Sequence, residues 1–160
     1  DTAAILRYIV SKEKILINDE GLLALIYLGR GNLIQTINFL QTVAIVHREK
    51  KIDADLVHQV AAQLVTIKVK EMIALALNQE FIAARTKLRE IFIKYGLTGK
   101  QITDQIRILS TKLPVPMDWK IFISDLLADF ELRMQKGSNE EIHLSAFIAQ
   151  LGILNILRRD

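Results

Sequence analysis

Apolar residues recur at spacings of three and four along almost the whole chain, the period of helices with one buried face. Over residues 2–13 that face is Ile5, Leu6, Ile9 and Val10. Asn18 is placed to cap a helix through Leu28, which Gly29-Arg30-Gly31 then breaks. Asn32 and Gln35 form an N-cap pair resembling a capping box and launch a helix expected to turn Leu33, Ile37, Leu40 and Ala44 inward. The polar run His47–Lys51 ends it, and Asp53 caps a fourth helix carrying Leu56, Val57, Val60 and Leu64.

Beyond it the pattern predicts helices at 68–77, 80–95, 99–111, 119–135 and 139–157. Asn78-Gln79 and Gly96 mark the first two joints, and Thr98 with Gln101 reads as a second capping box. Leu113-Pro114-Val115-Pro116 is an extended break, because a proline pushes the residue before it out of the helical region. Asp118 is expected to cap the helix that follows. The stretch 130–151 then reads as a helical hairpin. Gly137 closes one helix, Ser138 and Glu141 form an S-x-x-E capping box, and Glu140 and Glu141 add negative charge at the start of the next. Leu126, Phe130, Phe147 and Leu151 are expected to be the hairpin's own core.

The fold class is therefore all-α: a small helical bundle at 1–67 followed by a five-helix domain at 68–160. The boundary is expected near Thr66–Lys70, without a flexible linker. No repeat of 20–50 residues aligns within the chain.

Composition agrees with a packed helical protein: 51% of residues are hydrophobic and 24% charged, with two prolines and seven glycines in 160. With no cysteine, disulfides and thiolate chemistry are excluded, and an intracellular setting is favoured. No apolar run reaches membrane-spanning length. Asp1 opens the chain without Met while residues 3–10 already look helical, so a piece of a longer protein is expected. Residues 1–67 carry seven basic and seven acidic side chains, and residues 68–160 carry fourteen and eleven, so the second part holds the whole net charge of +3. These charges form no dense basic stripe and read as a solvated helical surface.

Catalytic chemistry is not written here. His47, His58 and His143 lie far apart without metal-ligand spacing, so neither a metal site nor a catalytic set is expected. Gly99-Lys100 mimics a phosphate loop, but Gln101 stands where Ser or Thr belongs and a helix precedes it. Glu90 and Lys94 make an ordinary i,i+4 surface pair. Trp119 and Phe122 read as core or interface anchors rather than as a base-stacking platform.

Two stretches carry a resemblance. Residues 30–41 (RGNLIQTINFLQ) resemble the lid segment of clamp-loader ATPases, glycine–aspartate–x–arginine–arginine–alanine–isoleucine–asparagine. Residues 81–99 (FIAARTKLREIFIKYGLTG) and 130–144 (FELRMQKGSNEEIHL) look like the collar of the replication factor C small subunit. The likeness runs through the chain in order, lid first and collar second. It implies a subunit of a five-membered AAA+ ring that opens a sliding clamp and loads it onto primed DNA. In that family an ATP-binding domain precedes the lid and carries most DNA contacts; it is not in this sequence. ATP and magnesium are then expected of the full-length subunit, and no cofactor of these 160 residues. Partners would be the other ring subunits, with clamp and primer-template DNA reached through the preceding domain. The setting would be the archaeal cytoplasm or the eukaryotic nucleus.

One departure matters. The family's lid arginine reaches the nucleotide phosphates; aligned on Gly31, that position is Ile34, followed by Gln35, and Asn32 replaces the aspartate. Isoleucine supplies no charge-assisted hydrogen bond. Ring contacts are expected from partly exposed collar residues: Arg89, Phe92, Arg133, Glu140 and Gln150. Two other readings compete: a helical interaction scaffold unconnected with replication, and the lid of another AAA+ enzyme.

Overall fold

The computed structural model describes residues 1–137 and 139–157. All regular structure among them is helical: α1 (Thr2–Lys12), α2 (Asp19–Gly29), α3 (Leu33–Val46), α4 (Ala54–Leu77), α5 (Phe81–Glu90), α6 (Gly99–Lys112), α7 (Met117–Gln135) and α8 (Glu140–Leu157). None of these is long and apolar enough to cross a membrane. The chain divides into two compact units, Asp1–Leu64 and Val65–Asp160.

In the first unit, local chemistry sets each helix start. The side chains of Asn18, Asn32 and Asp53 accept from the backbone N–H groups of Gly21, Gln35 and Leu56. Each such cap contributes about 1 kcal/mol. Leu6, Leu25, Leu40, Val43, Ile52, Val57 and Val60 are buried together with Phe39. A single parallel bridge ties Ile17 to Ile52. The inward face of α3 differs from the expected one. Thr36, Phe39, Leu40 and Val43 are buried, whereas Leu33, Ile37 and Ala44 are only half-buried. The helix is turned by about one residue, because Phe39 offers more apolar area than Ile37 and wins the interior.

A helix beginning at Lys68 is also corrected: α4 is continuous from Ala54 to Leu77. Nothing between those residues breaks a helix, since the segment contains neither Gly nor Pro. The shift in charge balance near residue 67 alters the surface and leaves the backbone hydrogen bonds alone.

The second unit is organised around Phe130 and Phe147, both fully buried, with Leu126 and Leu151 in the same cluster. Leu88 from α5, Ile91 just beyond it, and Ile102 and Ile106 from α6 close it. Thr98 and Gln101 make the expected capping box, and Gly137 takes a left-handed conformation with φ 86°. Past Glu90 the predicted helix widens into a π-helical segment, Ile91–Tyr95, before Gly96 closes it at φ 59°. Asp118 does not cap α7; Pro116 holds that position, and Asp118 accepts from the adjacent Trp119 N–H. Proline there fixes φ at the entry to the helix, and the Trp119 N–H is met by the Pro116 carbonyl and the Asp118 carboxylate. Ser138 lies outside the described residues. Asn139 accepts from the Ile142 N–H, three residues on, and serves as the cap of α8. At the far end of α8, Asn155 donates to the Leu77 carbonyl, and Gly152 lies so close to the Ala76 carbonyl that a Cβ would stand 3.1 Å away.

Charges link α4 to α5. Lys87 Nζ sits 3.1 Å from Glu71 and 3.4 Å from Glu90, and Lys68 also reaches Glu71. The hydrogen bond from Lys87 holds the Glu71 carboxyl below its ordinary value, against some opposition from burial, and the same bond raises Lys87. A lowered carboxylate contributes stability above its unfolded value and loses it as pH falls. A raised lysine contributes below its unfolded value and loses it as pH rises. The pair therefore acts fully between about pH 4.5 and 10.5. Both groups are partly solvated, so its net worth is about 0.5–1 kcal/mol. Urea melts at pH 7 and pH 3 should show a smaller acid-induced loss for Lys87→Met than for the parent chain; equal losses would remove the pair from the stability balance.

Candidate functional site

Gly31, Asn32, Ile34 and Gln35 all lie on the turn from α2 into α3. The turn is tightly specified. Arg30 and Gly31 take positive φ (51° and 78°), the Asn32 N–H donates to the Gly29 carbonyl, and Thr36 Oγ donates to the Asn32 carbonyl. Thr36 is fully buried, and a Cβ on Gly29 would meet its Oγ at 1.8 Å. The two helices thus approach as closely as their backbones allow, and the first turn of α3 stands outward. Ile34 is 72% exposed there.

The Asn32 side-chain oxygen already accepts from Gln35, Ile34 has no donor, and α3 carries no charged side chain. Whatever nucleotide contact the lid of a relative makes through an arginine, Ile34 does not supply it. A hydrophobic residue this exposed is suited instead to packing on another protein surface.

The expected collar contacts fall into different situations. Arg89 is exposed on α5, free to meet a partner. Phe92 is half-buried in the π-helical segment and packs against the unit's own core. Arg133 bonds Asp129 at 2.7 Å and lies 5.0 Å from the centre of the Phe130 ring, so its guanidinium is already engaged. Glu140 accepts from the Gly99 N–H at 2.7 Å, fastening the start of α8 to the start of α6. Glu140 also borders a small, mostly polar pocket of about 150 Å³, whereas Gln150 borders a larger apolar one. Gln150 lines this groove of about 610 Å³ with Phe122, Ile153, Leu154 and Leu157.

That groove is the feature the sequence reading missed. Met117 and Ile121 are 70% and 63% exposed on α7, one turn apart on the helix that supplies Phe122. The signal was available: α8 is apolar on nearly every side, and such a helix demands cover beyond a single neighbour. Of the expected contacts on α8, Gln150 lies in this groove and Glu140 stands at the opposite end of the helix. Glu140 and Gln150 are ten residues apart, about 15 Å along the axis. No group of histidines and carboxylates able to hold a metal occurs among the described residues.

Comparison with known proteins bears on both units. Residues 66–150 match the Replication factor C C-terminal domain family. The replication factor C small subunit of Pyrococcus horikoshii is 36% identical over 154 residues, 96% of this chain and 18% of the relative. That of Staphylothermus marinus is 36% identical over 156 residues, 96% of this chain and 46% of the relative. That of Aeropyrum pernix is 34% identical over 152 residues, 94% of this chain and 46% of the relative. The chain thus spans less than half the length of the relatives it matches.

Proposed function

The chain belongs to the replication factor C family, and from that premise we propose that it is the lid and collar of a clamp-loader small subunit, residues 1–67 and 68–160 respectively. The observation that carries the reading is the place of the family match: residues 66–150 lie within the helical unit that leaves an apolar groove on α7 and α8. In this reading the collar joins the subunit to others in a five-membered ring. The clamp, primer-template DNA, ATP and magnesium engage a preceding ATP-binding domain, inside the cell. The chain itself is scaffold and lever, without hydrolytic chemistry.

The test is co-assembly with partner subunits of a clamp loader, followed by light scattering. Gln150→Arg with Ile153→Asp places charge in the groove, and Arg89→Glu reverses a free cation on α5. All three side chains are at least partly exposed, so helical content by circular dichroism should hold. Charge placed in a desolvated contact costs several kcal/mol, enough to weaken assembly at least about a hundredfold. If the parent chain joins no partner, the clamp-loader reading fails. If it joins and neither variant weakens it, the collar surface has been misplaced.

A further inference from the structure

A second groove, wholly within the first unit, takes no part in the sites above. It encloses about 560 Å³ between the end of α1, the turn at residues 14–16, one stripe of α3 and residues 47–52. Its floor is apolar: Leu40 and Ile52 are fully buried there, and Ile9 and Ile37 are half-buried. Leu16 and Ile45 stand at its mouth, 62% and 66% exposed. Its rim carries Lys14, Arg48 and Lys50 against a single acid, Glu13, so three cations face one anion. Among the described residues these three cations make no ion pair with any carboxylate.

Size and charge together select the occupant. The α3 wall from Ile37 to Ile45 rises eight residue steps, or about 12 Å, which matches two turns of a helix laid alongside it. An occupant that covers the floor also takes Lys14, Arg48 and Lys50 out of water. A desolvated cation left without a counter-charge costs several kcal/mol, so carboxylates must flank the apolar contacts. The lining holds no Phe, Tyr or Trp, and His47 is its single ring, too little for a base-stacking platform, which disfavours a nucleic-acid strand. The apolar surface is concave, whereas a lipid surface is met by protruding side chains. We propose that this groove docks an acidic amphipathic helix of a partner protein, its apolar stripe on Ile9, Ile37 and Ile52 and its carboxylates on Lys14, Arg48 and Lys50.

Two dye-labelled helical peptides of three turns test this by fluorescence anisotropy on the whole chain. Both carry leucine at helical spacing; one has glutamate on the flanks and the other lysine. The glutamate peptide should bind saturably and the lysine peptide at least about tenfold more weakly. Arg48→Glu with Lys50→Glu should weaken the glutamate peptide at least about tenfold and improve the lysine peptide, with unchanged circular dichroism, since both residues are exposed. Ile45→Asp at the mouth should weaken both peptides. No saturable binding, equal binding of the two peptides, or indifference to the double reversal would each overturn the proposal. So would self-association in sedimentation that Ile45→Asp abolishes and the glutamate peptide does not compete, because the occupant would then be a second copy.

Discussion

Replacing Phe130 by alanine is expected to remove about 3–5 kcal/mol from the second unit, enough to lower its melting temperature by roughly 12 °C or more. The ring is fully buried and meets Phe147 edge to face, with centroids 5.9 Å apart and planes at 79°. His143 approaches a second edge at 6.4 Å, and Arg133 covers one face. Truncation therefore forfeits three contacts and opens a cavity between α7 and α8, two helices fixed in place by several other buried residues and unable to collapse on it. Phe130→Leu keeps most of the volume and should cost far less. Arg133→Ala removes an exposed cation from the ring face and breaks its surface pair with Asp129, each worth at most about 0.5–1 kcal/mol. Thermal melts that rank the three in another order would mean the hairpin is not packed around this ring.

The hairpin could be foreseen because its signals are local. Gly137 is followed by a new apolar period, and Leu126, Phe130, Phe147 and Leu151 repeat at spacings that only antiparallel helices can bring together. Caps were legible for the same reason: Asn18, Asn32, Asp53 and Thr98 each bond a donor three residues away. What stayed hidden depended on distant residues. The helix register of α3 is decided by how well Phe39 fits an interior built from other helices. The continuity of α4 depends on two stripes of one helix, Val57–Val60 and Val69–Ile73, each covered by residues remote in sequence. A charge count along the chain carries no information about either.

For the site the division is sharper. The turn at residues 30–36 was recognisable because Gly31 supplies a left-handed residue and Asn32 an N-cap at the spacing a helix start requires. The association surface was not. Glu140 looked like a surface carboxylate until its bond to the Gly99 N–H, 41 residues away, engaged it within the fold. Arg133 looked available until Asp129 and Phe130 occupied it. Residue type indicates what can form an interface, and only the fold reveals which of those groups is already spent.

Gly29→Ala is expected to cost the first unit about 3 kcal/mol, at the upper end of overpacking effects, and to unfold it while the second unit stays folded. A Cβ at Gly29 would stand 1.8 Å from Thr36 Oγ, 2.9 Å from Thr36 Cβ and 3.2 Å from its Cα. Rotating the hydroxyl away breaks its bond to the Asn32 carbonyl and swings the threonine methyl group toward the same space. The Cα cannot rotate away, so α2 and α3 must part. A unit of about this size buries only some 60% of its chain surface and has little stability to lose. Hydrogen exchange should show α1, α2 and α3 losing protection while α5 through α8 keep theirs. Thr36→Ala gives the decisive comparison. Alone it should cost about 1 kcal/mol through the lost hydrogen bond. Placed in Gly29→Ala, it removes the shortest contact and should restore part of the lost stability, so the double variant outlasts Gly29→Ala although each change alone destabilises. Additive losses would mean that α2 and α3 are not held at this distance, and parallel loss of protection in α5 through α8 would mean that the two units unfold as one.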